Sequence, residues 1–142
     1  KDISGLILII AGAGMLKQIF VESGVSETIA VSLKDLPIHP LVLAWLIATV
    51  IRIAVGSATV AGLTAAGIVA PLATSGAADP NLMVLAVGAG SLMCSHVNDS
   101  GFWMFKEYFN LSLKETLRSW TLMETIVGVA GLAGVLILDW VI

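Results

Sequence analysis

The chain has 142 residues, 58% of them apolar and only 12% charged, with seven Lys or Arg against ten Asp or Glu for a net charge of −3. Soluble domains average about 45–50% apolar and about 25% charged, and a domain this small needs a wettable shell. The composition excludes a water-soluble globule and a disordered chain, and the missing basic patch excludes a nucleic-acid binder. A bilayer is the solvent that fits, so the expected fold class is all-α integral membrane.

Lys1-Asp2-Ile3-Ser4 has no initiator Met and runs straight into apolar sequence. Its mixed charge and the absence of a cleavage site do not suit a signal peptide. It reads as the start of a fragment of a larger membrane protein. A spanning helix takes about 20 apolar residues, and 3–21 supplies the first, with Lys17 snorkelling at its end. Residues 22–40 read as a polar loop. Within it, 26–36 form an interfacial helix with Ile29, Ala30, Leu33 and Leu36 on one face, before Pro37 and Pro40 break the chain.

The apolar block 41–78 carries one charge, Arg52. Its centre, Gly56-Ser57-Ala58-Thr59, is poor helix, because Gly costs helix stability and Ser and Thr compete for the backbone. Each arm is about 15 residues or ~22 Å long, short of the ~30 Å hydrocarbon core. A re-entrant helical hairpin with its tip at 56–59 is expected, buried in protein or lining a cavity. Residues 82–109 then predict a transmembrane helix broken at 96–101, where His96-Val97-Asn98-Asp99-Ser100-Gly101 interrupts two apolar segments.

An interfacial helix is expected over 111–119, capped by Asn110 or Ser112, and a last transmembrane helix over 120–142, anchored by Trp120 and Trp140. Gly128, Gly131 and Gly134 make a smooth face for helix packing. Lys106, Lys114 and Arg118 ahead of the last span point to the cytoplasm, which leaves the C-terminus and the loop 22–40 outside. Cys94 is alone, so no internal disulfide can form, and it reads as a small buried hydrophobe.

Three features carry chemistry. The amides and hydroxyls at 56–59 suit a carboxylate or a sugar hydroxyl, and a helix N-terminus beside them favours anions. Arg52, one turn earlier, must face protein or a water-filled cavity. It pairs with an anionic substrate, with a backbone carbonyl, or with an acidic residue in the missing part of the larger protein. His96, Asn98 and Asp99 form the strongest cluster. An intramembrane His and carboxylate suit a proton relay, Asn98 suits a polyol, and Asp99 can also cap the second half-helix. Two ligands, His96 and Asp99, are too few for a metal site. Glu124 is placed at the interface near Arg118.

Ile53-Ala54-Val55-Gly56-Ser57-Ala58-Thr59-Val60-Ala61 and Ser95-His96-Val97-Asn98-Asp99-Ser100-Gly101-Phe102-Trp103 resemble the gluconate–proton symporter (gluconate permease) family. So do Gly67-Ile68-Val69-Ala70-Pro71-Leu72 and Phe105-Lys106-Glu107-Tyr108-Phe109-Asn110-Leu111, and the likeness covers essentially the whole chain. The resemblance implies a multi-pass transporter of the inner membrane importing gluconate or a related sugar acid with protons. Relatives take idonate, fructuronate, glycerate or other small hydroxy acids. The family resembles the ion transporter superfamily, whose members hold two inverted repeats, each with a re-entrant hairpin and a broken helix. The chain then corresponds to the C-terminal repeat, its partners being the N-terminal repeat, the lipid bilayer, the sugar acid and protons. A homo-oligomer stays open.

In that reading Ser57 and Thr59 meet the substrate carboxylate and Arg52 supplies charge. Asn98, with Ser95 and Ser100, meets hydroxyls, and His96 or Asp99 takes the proton. No cofactor is expected. The alternative is a channel or structural membrane domain without proton coupling. An enzyme is disfavoured, because no nucleophile with a base partner lies near His96 and Asp99.

Overall fold

The computed structural model describes residues 37–142 throughout. Before them it describes Ser4, Ile7, Leu8, Ala11, Gly12, Met15, Gln18, Ile19, Glu22, Ser23, Gly24 and Thr28. The expected helices at 3–21 and 26–36 fall largely outside the described residues.

Among the described residues the architecture is all-helical. Helix α1 (Pro40–Val55) opens on Pro40, whose fixed φ and missing N–H suit a first helical position. It stops at Gly56, which takes the left-handed conformation (φ 72°) and donates its N–H to Arg52 O at 2.9 Å. Ser57 is extended and caps α2 (Ala58–Thr74) by accepting from Val60 N at 3.4 Å. The break between the two helices is therefore Gly56 and Ser57 alone, and Ala58 and Thr59, expected in the tip, already belong to α2.

Asp79 caps α3 (Pro80–Ser91), accepting from Asn81 N at 2.8 Å and Leu82 N at 3.2 Å. The Leu82 and Asn81 amides hold its carboxyl below the ordinary value. Helix α3 ends at Ser91, earlier than the expected 95, because Cys94 takes a left-handed φ of 52° that no helix can continue through. Residues 92–99 run without α-helix to Asp99, which caps α4 (Ser100–Tyr108) by accepting from Gly101 N at 2.9 Å.

Ser112 and Glu115 form a reciprocal capping box that opens α5 (Leu113–Thr116). From there the helix runs unbroken through a π-helical turn, Leu117–Thr121, into α6 (Leu122–Val141). The expectation of an interfacial helix to 119 and a separate span from 120 gives way to one 29-residue helix, Leu113–Val141. No Gly or Pro stands between Ser112 and Val127 to end it, and the π turn absorbs an extra residue instead. Among the described residues this helix alone is long and apolar enough to cross a membrane, while α1, α2 and α3 are apolar but shorter.

Helix α1 is the centre of the packing. Leu41, Ala44, Ile47, Ala48, Ile51 and Val55 are fully buried against α2, α3 and α6. Gly90 on α3 lets the helices approach so closely that an added Cβ would lie 2.3 Å from Trp45 O. Gly128 and Gly131 likewise pack α6 onto Met93 and Ala89, whereas Gly134, expected on the same packing face, has open space around it among the described residues. The outer faces stay apolar, with Leu63, Val84, Leu122, Ile126, Val127, Ile137 and Trp140 exposed.

Gly90→Ala is expected to destabilise the protein by about 1–3 kcal/mol, because the contact is with backbone that cannot rotate away. The check is the thermal unfolding midpoint in detergent, and an unchanged midpoint would contradict this packing.

Candidate functional site

The two backbone breaks touch. A Cβ on Gly56 would meet Asn98 O at 2.3 Å, so the tip of the α1–α2 turn sits directly on the 92–99 segment. Only a residue without a side chain fits there, and the left-handed φ makes the same demand. Asn98 is buried and donates from Nδ2 to Ile53 O at 2.8 Å and Ala54 O at 3.2 Å. It thereby satisfies carbonyls that the end of α1 leaves open. Its Oδ1 is buried without a partner among the described residues.

Arg52 finds its counter-ion within the chain. Nη2 donates to Asp99 Oδ2 at 2.6 Å, joining α1 to the residue that caps α4. The Arg52 side chain is 3% exposed and that of Asp99 17%. Taking two charges out of water is costly, and the pair holds only because each charge is met. Asp99 Oδ2 also accepts from Ser95 Oγ at 2.5 Å, and its Oδ1 accepts from Gly101 N. Arg52 keeps two further donors, Nε and Nη1, buried without partners among the described residues.

The network continues into the long helix. Trp120 Nε1 donates to Ser95 Oγ at 2.7 Å, and Thr121 Oγ1 donates to Ser95 O. Thr125 Oγ1 donates to Thr121 O at 2.7 Å and lies 3.7 Å from Cys94 Sγ. The π turn thus aims Trp120 and Thr121 at the break, where a π-bulge is often found. Trp120, expected as an interface anchor, is half-buried and tied to the site. On the other side of the break, Trp103 Nε1 donates to Val97 O at 2.7 Å.

The structure therefore brings Arg52, Asn98 and Asp99 together. His96 lies in the same segment but turns back on the backbone, its Nδ1 donating to Cys94 O at 2.8 Å, since a carbonyl can only accept. Ser57 stands beside Gly56 at the tip with its hydroxyl engaged as a cap, and Thr59 is exposed on the first turn of α2. Helices α2 and α4 both begin next to the Gly56–Asn98 contact, so two N-termini with unused amides flank one point.

Glu124 is the residue that sequence reasoning placed elsewhere. It is half-buried on α6, where the charges of both Arg52 and Asp99 act on it. One signal was available: Glu124 lies one turn before Gly128, on the face that packs onto the rest of the protein.

Apolar helices with exposed apolar flanks, joined around an ion-paired polar break, fit an all-helical membrane protein. The GntP family permease profile matches residues 1–141. The chain belongs to the GntP family of permeases. It is 55% identical over 142 residues to the high-affinity gluconate transporter of Escherichia coli (strain K12), covering 100% of this chain and 32% of that protein. It is 51% identical over 140 residues to the Gnt-II system L-idonate transporter of the same organism, covering 99% of this chain and 32% of that one. It is also 51% identical over 142 residues to the gluconate permease of Bacillus subtilis (strain 168), with 100% and 32% covered. The chain thus spans about a third of the length of these relatives. No solved structure matches it significantly.

Proposed function

We propose that the chain is the C-terminal repeat of a multi-pass inner-membrane permease that imports gluconate or a related sugar acid with protons. Its relatives are gluconate and L-idonate transporters. The observation that carries the reading is the meeting of Gly56 with Asn98 beside the Arg52–Asp99 pair. A carboxylate with several hydroxyls needs a positive or dipolar contact at one end and neutral donors and acceptors along its length.

In this reading 41–78 is a re-entrant hairpin and 82–109 a broken transmembrane helix, facing an inverted N-terminal repeat across the substrate. Ser57, Thr59 and the first amides of α2 take the carboxylate, and Arg52 supplies the charge. Asn98 turns its unpartnered Oδ1 to a substrate hydroxyl. His96 and Asp99 serve proton coupling. Asp99 does so through Arg52, because a proton on Asp99 dissolves the ion pair and frees the guanidinium.

Labelled gluconate should accumulate in energised vesicles carrying the full-length permease. Asp99→Asn and His96→Gln, numbered as in this chain, should each lower accumulation per folded transporter, by about 10-fold or more for the group that carries the proton. Wild-type accumulation in both variants would remove the proton assignment from this segment.

A further inference from the structure

Helices α1 and α6 run antiparallel, pinned at two points. His39 Nε2 lies 3.5 Å from Asp139 Oδ2 at one end, and Trp45 Nε1 donates to Gly128 O at 3.0 Å nearer the middle. Two turns further along α1 stands Arg52, and one turn back along α6 from Gly128 stands Glu124. Helical side chains lean toward their own N-terminus, so Arg52 leans back toward the level of Glu124. Thr121 and Thr125, on either side of Glu124, already touch Ser95 and Cys94 in the break. The Glu124 side chain makes no hydrogen bond or ion pair among the described residues, while Arg52 Nε and Nη1 are buried and unpartnered.

We propose that Glu124 is a proton-carrying carboxylate of the transport cycle, sharing the single guanidinium of Arg52 with Asp99; the assignment rests on proton coupling of the permease. The charges explain the coupling. With Glu124 ionised, Arg52 faces two carboxylates and the site carries one net negative charge, which repels an anionic sugar acid. A proton from water, bonded to a Glu124 carboxylate oxygen, brings the site to neutrality and admits the anion. Loss of that proton to the other side after the site has turned restores the repulsion and expels the substrate. Proton and anion therefore raise each other's affinity, as reciprocal linkage demands. When ionised, Glu124 draws on Arg52 Nε or Nη1, loosening the hold on Asp99 and with it the cap of α4.

No other titratable group takes this place among the described residues. Helix α3 carries none. His39 faces Asp139 at the far end of α1, Cys94 faces Thr125, and His96 is bonded back to Cys94 O. Lys106 and Glu107 on α4 pair with each other at 2.7 Å. On its own helix, Lys114, Glu115, Arg118 and Asp139 are in neighbouring turns or beyond, and the charges that act on Glu124 are those of Arg52 and Asp99.

The test is the affinity of the full-length permease for gluconate measured from pH 5 to 9, with the residue numbered as here. Wild-type affinity should fall with rising pH by up to about tenfold per unit, the limit for one linked proton. Glu124→Gln should reduce that slope to the part that His96 and Asp99 supply, and Glu124→Asp should restore it with a displaced midpoint. A wild-type slope kept in Glu124→Gln overturns the assignment while leaving symport intact. Wild-type affinity independent of pH sinks the symport reading and the assignment together. Should Glu124→Gln fail to fold, Glu124→Asp decides: a midpoint that does not move overturns the proposal.

Discussion

Asp99→Asn in the full-length permease is expected to cost about 3–5 kcal/mol of stability, the usual penalty for leaving one half of a buried ion pair alone. Asn still accepts from Gly101 N as a helix cap with its one oxygen, while an NH2 group replaces the oxygen that meets Arg52 and Ser95, so the negative charge and that acceptor are lost together. Arg52 is almost wholly buried and has no other anion within bonding distance among the described residues. Arg52→Gln should cost a similar amount from the other side. The double variant Arg52→Gln with Asp99→Asn leaves two neutral amides, and its loss should be well below the sum of the two single losses. The check is a double-mutant cycle on thermal unfolding in detergent. A coupling energy near zero would mean that the pair does not hold α1 to the start of α4.

Gly56→Ala should be nearly as damaging, at about 2–4 kcal/mol, from two independent causes. A left-handed φ costs an L-residue roughly 1–2 kcal/mol, and a methyl group would collide with Asn98 O at 2.3 Å, adding an overpacking term of about 1–3 kcal/mol. Because the nearest atom is backbone, shortening the Asn98 side chain cannot make full room. Asn98→Ala combined with Gly56→Ala should therefore fail to recover stability, and it also forfeits the bonds to Ile53 O and Ala54 O. Folded-protein yield and unfolding midpoint report the outcome. A Gly56→Ala protein as stable as wild type would show that the tip and the break do not meet.

Local chemistry made the helix ends readable from sequence. Gly56 and Ser57 stop one helix and start the next because one tolerates a left-handed φ and the other accepts from a free amide. Asp99 marks the start of α4 for the same reason. The end of α3 was misplaced because it depends on the left-handed turn at Cys94, a residue type with no preference for that conformation. The continuity of the last helix was hidden too: polar Lys114, Glu115 and Arg118 suggested a separate surface helix, yet nothing in 113–127 breaks the backbone.

Tertiary pairing was the part that local chemistry could not supply. Arg52 and Asp99 are 47 residues apart, and their meeting depends on how closely Gly90 lets α3 approach α1. The sequence marks Arg52 as a residue that needs a partner, but none of the three partners it suggests is Asp99 of the same chain. Trp120 and Glu124 were assigned to the interface by depth along the helix. Their actual direction follows from the π turn and from the face that carries Gly128.

The central claim is that the tip at Gly56 and the break at Asp99 form one half of a site that takes a sugar acid together with a proton. The most direct measurement adds gluconate to de-energised vesicles that contain the full-length permease, with a pH electrode in a weakly buffered medium. Gluconate entry should carry protons inward and make the medium alkaline, and Asp99→Asn should reduce the alkalinisation per folded transporter. Gluconate entry with no change in external pH would contradict the account.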